Sequence, residues 1–229
     1  MTRTKDGRIE FTRAMRKTYK ILFPNMCEIH FRILRNVFLN AGYDIELLTD
    51  SGQQVVDEGL KYVHNDTCYP ALLVIGQFLD ALGSGKYDLD HTALIITQTG
   101  GGCRASNYIH LLRKALVKAG YGQVPVVSLN FSGLEKDSGF PMTLTLIRKL
   151  LSVVYYGDLL VTLRAQTEPY EINKGEAEAM QEKWIKHLYA LLLERGGMRL
   201  KGETAPEAAP AFGGELARQR KELVSLEQR

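Results

Sequence analysis

The seven residues Thr-Ala-Leu-Ile-Ile-Thr-Gln at 92–98 constrain the fold more than any other stretch of the chain. They are mostly apolar and rich in β-branched side chains. That composition suits a strand covered on both faces, the situation of a central strand in a parallel sheet. The run passes through Thr99, Gly100, Gly101 and Gly102 to Cys103, and then into a helix-length segment, 103–122. In that segment Ile109, Leu112, Ala115 and Leu116 recur with helical spacing. A strand, a short glycine turn and a helix are the parts of a βαβ unit, and parallel strands need such crossovers because a hairpin cannot join them.

The same alternation runs upstream and downstream. Residues 19–24 and 43–50 read as strands, and 27–42 as a helix with Ile29, Ile33, Val37 and Phe38 on one face and Gly42 as its stop. Residues 52–63 read as a short helix. The apolar run 71–82 reads as another, with Asn65, Asp66 and Thr67 as candidate N-caps, Pro70 in its first turn, and Gly83 and Gly85 ending it. Residues 124–130 supply a fourth strand. The predicted fold is therefore α/β: a doubly wound, mostly parallel, Rossmann-like sheet of about four strands with right-handed crossovers, followed by C-terminal helices. The expected organisation is an N-terminal extension at 1–17, the α/β domain at 18–139, a helical part at 140–199 packed on it, and a flexible tail at 200–229. The Ala/Pro/Gly-rich stretch 201–215 marks that tail, which ends in a possible short helix.

Length and charge narrow the function classes. A chain of 229 residues that is 45 % hydrophobic can bury a sizeable core. A net charge of +3, with no basic stripe interleaved with aromatics, gives no sign of a nucleic-acid partner. No apolar run approaches the roughly 18 residues of a membrane span, and the basic start of the chain has no apolar core of the secretory kind. A cytoplasmic location is the expectation. In a reducing compartment three cysteines are not expected to form a disulfide framework, and an odd number leaves at least one thiol over.

Cys27, Cys68 and Cys103 each fall at the predicted start of a helix, and two of them lie just past a strand. In an open α/β sheet that rim is where ligands bind. A helix N-terminus favours thiolate, the form that ligates metal. Against this stands the commoner fate of a free cysteine, which is to fill space in a core. The gaps of 41 and 35 residues match no zinc-ribbon or ferredoxin spacing, so the thiols would have to converge from separate loops. Gly100, Gly101 and Gly102 have two readings as well: a strand-to-helix turn with φ > 0, or a stretch cleared of side chains so that backbone amides approach a cluster or an anion. Arg104 either pairs with that anion or sits in solvent. The stretch is neither a P-loop nor a dinucleotide fingerprint. His30 and His64 flank two of the cysteines, and Asn25, Asp66, Gln98 and Asn107 bring polar groups to the rim. Tyr69 and Tyr108 are expected only to pack there.

Four stretches, "YKILFPNMCEIHFRIL", "EGLKYVHNDTCYPALLVIGQ", "IITQTGGGCRASNYIHLLRKAL" and "VPVVSLN", resemble the iron–sulfur, dehydratase-like part of the 2-hydroxyacyl-CoA dehydratase and activase superfamily, above all the large CoA-substrate-specific enzyme activases. The resemblance runs over about residues 10–195, with "NDTCYPA" and "TGGGCR" its most specific parts. It implies a [4Fe–4S] cluster, or half of a double-cubane cluster, held by Cys27, Cys68 and Cys103, with Gly100, Gly101, Gly102 and Arg104 around it. It also implies an ATP-hydrolysing activator that delivers a low-potential electron, a sister dehydratase-like subunit or domain, and an acyl-CoA thioester that is dehydrated, or a related small molecule that is reduced. The sequence departs from the full architecture: it carries no ATP phosphate-binding motif and no activator half. The expectation is thus a module of a lyase-like or reductase system rather than an independent enzyme. Two other readings stand beside it: a non-redox scaffold that docks an activator or sister subunit through 140–196, and a thiol enzyme with Cys103 as nucleophile.

Overall fold

The computed structural model describes residues 8–64, 66–98, 102–130 and 143–194. The chain divides into two compact units, Met1–Met142 and Thr143–Arg229.

The first unit is built on four parallel strands: β1 (Lys20–Phe23), β2 (Asp44–Leu47), β3 (Thr92–Gln98) and β4 (Val126–Asn130), in the order β2-β1-β3-β4. The helices are α1 (Glu28–Asn40), α2 (Gln53–Tyr62), α3 (Tyr69–Gly83) and α4 (Tyr108–Lys118). The apolar runs become strands because the sheet buries both of their faces. Phe23 stacks on Phe31 of α1 at 4.6 Å and meets Phe38 edge-on at 5.9 Å. Leu22, Leu94 and Ile96 join Ile75 and Phe78 of α3, and Ile109 and Leu112 of α4, in one buried cluster. Helices thus cover both sheet faces. The crossover from β1 to β2 runs one way along the sheet, and those from β2 to β3 and β3 to β4 run the other. Right-handed connections of opposite direction place their helices on opposite faces. The reversal falls between β1 and β3, which makes the carboxyl ends of those two strands the topological switch point.

Helix α3 is buried on nearly every side. Its fit to α2 is backbone against backbone. A Cβ on Gly76 would lie 2.0 Å from the Val55 carbonyl oxygen, and one on Gly59 would lie 2.5 Å from that of Leu72, so both positions need glycine. Within the described part of 1–17, Ile9, Phe11 and Met15 are buried.

The second unit contains α5 (Leu144–Thr167), which Thr143 caps by accepting the Leu146 N–H, and α6 (Glu176–Glu194). Gln181 of α6 donates to the Leu160 carbonyl and accepts from Arg164, tying the two helices together. Among the described residues no helix is long and apolar enough to cross a membrane.

Candidate functional site

All three cysteines are free, and each is the residue that precedes the first turn of a helix: Cys27 before α1, Cys68 before α3, and Cys103 before a short 3-10 turn, Arg104–Asn107, that leads into α4. The loops after β1 and β3 flank the switch point, and they carry Cys27 and Cys103.

Local chemistry explains each placement. The Cys27 carbonyl accepts the Phe31 N–H to start α1, and its exposed sulfur lies 3.0 Å from His30 Nδ1, one helical turn on. At α3 the N-cap position falls on Cys68 and not on Asp66 or Thr67. The helix begins at Cys68, whose carbonyl takes the Ala71 and Leu72 N–H groups, while Thr67 closes a turn back to the His64 carbonyl. Pro70 fits that first turn because its missing N–H would have had no intrahelical partner. The Asp66 carboxylate lies 3.3 Å from Nδ1 of the exposed His64 ring. The segment after Cys103 corrects the expectation of a helix running from that residue. Cys103 sulfur accepts the Ala105 N–H at 3.5 Å, and the Cys103 carbonyl accepts both the N–H and the hydroxyl of Ser106. These short-range bonds tighten the chain into a 3-10 turn, and the α-helix starts only at Tyr108.

Tyr108 brings two of the cysteines into one electrostatic neighbourhood. Its hydroxyl lies 3.1 Å from Cys68 sulfur. Burial pushes the phenol well above its ordinary range. The hydrogen bond to Cys68 and the negative potentials of the Cys68 and Cys103 sulfurs push it further the same way. A phenol held protonated is a donor to thiolate. Cys27 stands apart from this pair across the switch point. Its loop touches the β3 end through a 3.6 Å contact from the Thr97 hydroxyl to Met26 sulfur.

Gly102 does not have the positive φ expected of a tight turn, and among the described residues nothing lies within 4 Å of where its Cβ would be. Gly100, Gly101 and Asn65 lie outside the described residues, as does the side chain of Arg104. Thiols are the donor type that iron–sulfur clusters take, but among the described residues no three His, Cys, Asp or Glu side chains are gathered closely enough to hold a metal ion. Comparison with protein-family models, curated proteins and solved structures finds no match to this chain.

Proposed function

We propose that this chain is the iron–sulfur cluster-binding module of a 2-hydroxyacyl-CoA dehydratase or activase-type system. The observation that carries the reading is the placement of three cysteines outside any disulfide in the same doubly wound unit, Cys27 and Cys68 opening α-helices and Cys103 a 3-10 turn, with two of the loops flanking the switch point. Cys27, Cys68 and Cys103 would hold a [4Fe–4S] cubane, alone or as half of a double cubane. Gly100, Gly101 and Gly102 would keep side chains away from it, and Arg104 would offset its charge. Bound there, the cluster would supply one-electron transfer at low potential. The chain's own contribution is to present Cys27 and Cys68 at the positive ends of α1 and α3 and to hold the Tyr108 proton beside Cys68. The partners proposed are an ATP-hydrolysing activator, a sister dehydratase-like subunit or domain, and an acyl-CoA.

Anaerobic reconstitution with iron and sulfide, followed by metal counting and EPR of the reduced protein, tests the reading. Roughly four irons and four labile sulfides per chain are expected, with loss of the thiolate-to-iron absorbance in Cys103→Ser. Iron near zero in the folded parent chain overturns it.

One observation favours docking as a second reading. Leu144, Leu151, Val154, Tyr155 and Val161 of α5 are exposed, and at about 3.6 residues per turn they fall on one side of the helix. A colourless, folded protein that binds a purified activator, and loses that binding in Leu151→Glu, would favour a non-redox scaffold.

A further inference from the structure

Two buried glutamines outside the thiol set each span a gap in the backbone beside a cysteine. Gln77 of α3 is 6 % exposed. Its Nε2 donates to the Asp50 carbonyl at 2.8 Å, and its Oε1 accepts the Asn25 N–H at 3.1 Å, two residues before Cys27. Gln98 closes β3 and is equally buried. Its Nε2 donates to the Ser106 carbonyl at 2.9 Å, and its Oε1 accepts the hydroxyl of Ser128, a β4 residue only 3 % exposed, at 2.9 Å. The Ser106 hydroxyl in turn donates to the Cys103 carbonyl at 2.8 Å.

The polarity of these partners fixes both amides. A backbone carbonyl only accepts and a backbone N–H only donates, so a flipped Gln77 would face oxygen with oxygen at Asp50 and N–H with N–H at Asn25. A flipped Gln98 would do the same at Ser106. Each glutamine therefore uses its donor and its acceptor in buried bonds that no other residue of similar shape reproduces. Glutamate keeps the acceptor and loses the donor. Gln77 ties the β1–α1 loop to the β2–α2 loop from within the helix that Cys68 opens. Gln98 clasps the end of β3 to the 3-10 turn that follows Cys103, with Ser128 bonded to its other amide atom.

We propose that Gln77 and Gln98 are positioning residues for the cysteine rim, Gln77 for the segment of Cys27 and Gln98, oriented by Ser128, for that of Cys103. The role of these bonds in cluster assembly rests on the iron–sulfur reading; the positioning itself does not. The test uses the full, iron-free chain under anaerobic reducing conditions. Alkylation of each cysteine by iodoacetamide is followed by peptide mass mapping. Gln77→Glu is expected to change the Cys27 rate by about threefold or more, leaving Cys103 within twofold of the parent. Gln98→Glu is expected to do the reverse. Ser128→Ala adds no charge, so it carries the test if Gln98→Glu does not fold, and it is expected to shift Cys103 in the same direction by a smaller factor. A global loss of stability would move all three thiols together. That pattern, or unchanged rates in variants with parental circular dichroism, overturns the proposal. Reconstitution is then run in parallel. A parent that takes up iron, with Gln98→Glu showing altered EPR g values, supports both readings. A parent that takes up none removes the cluster and leaves the alkylation result to judge the tethers.

Discussion

The two sides of the switch point do the same topological job with different degrees of restraint. On the β3 side, Cys68 has a buried phenol against its sulfur, and Cys103 sits in a 3-10 turn bonded to its own loop and clasped by Gln98. On the β1 side, Cys27 is exposed, its sulfur faces a histidine of its own helix, and its loop is joined to the remainder of the fold by one buried amide and one sulfur contact. The difference lies in tethering and not in exposure, since Cys27 and Cys103 are both exposed and only Cys68 is half-buried. A ligand arriving from outside would meet Cys27 with less displacement of packed groups than Cys68.

The largest effect that breaks this comparison is at the root of the looser side. Phe23 is fully buried between Phe31 and Phe38 at the end of β1. Phe23→Ala should cost about 3–5 kcal/mol in a denaturant titration. It should also erase the difference between exposed Cys27 and half-buried Cys68, with the two thiols alkylating at comparable rates.

A smaller effect sharpens the tighter side. Tyr108→Phe removes the hydroxyl beside Cys68 and should cost about 1 kcal/mol, with faster alkylation at Cys68 and no change at Cys27. The same phenol carries a pH signature. Its folded-state pKa lies above the ordinary value of 10.0. Its contribution to stability is therefore complete below that value and is lost as pH rises from there toward the folded pKa. Unfolding free energies measured across that alkaline range should fall more steeply for the parent than for Tyr108→Phe; parallel curves would remove Tyr108 from the account.

The smallest expected effect lies at the exposed pair. His30→Ala takes away the ring nitrogen next to Cys27 sulfur on the surface of α1, and stability should move by no more than about 0.5 kcal/mol. The Cys27 alkylation rate should change while those of Cys68 and Cys103 hold. Equal rates in parent and variant would mean that the 3.0 Å approach has no chemical consequence.

The strands were legible because each is a short apolar run whose burial on two faces is written in its composition, and Thr92–Gln98 is the plainest case. Cys27 and Cys68 could be placed at helix starts because the helical period shows where α1 and α3 must begin, whereas α4 begins only at Tyr108, beyond Cys103. What decides their surroundings was not legible. Tyr108 meets Cys68 across 40 residues of sequence, and Ser128 meets Gln98 across 30. No local pattern records such pairs. Gln98 was singled out as a polar group near the rim, but Gln77 looked like one more residue in an apolar helix, and its interior position was the available signal. At the start of α3, Asp66 and Thr67 had the chemistry of caps, yet the backbone turn from Thr67 to His64 engages that segment first. Between Cys103 and Tyr108 the sequence could not distinguish an α turn from a 3-10 turn, because the choice rests on which carbonyl the Ser106 hydroxyl and the Gln98 amide reach.

The contact of α2 with α3 has a mechanical consequence. With glycine at 59 and 76, the two helices come into backbone contact at those points, with the Leu72 side chain also against Gly59. A cushion of methyl groups would absorb a small displacement by changing rotamers, whereas touching backbones cannot. At those points a push on α2 would meet the α3 backbone directly, and Cys68 stands just before the first turn of that helix.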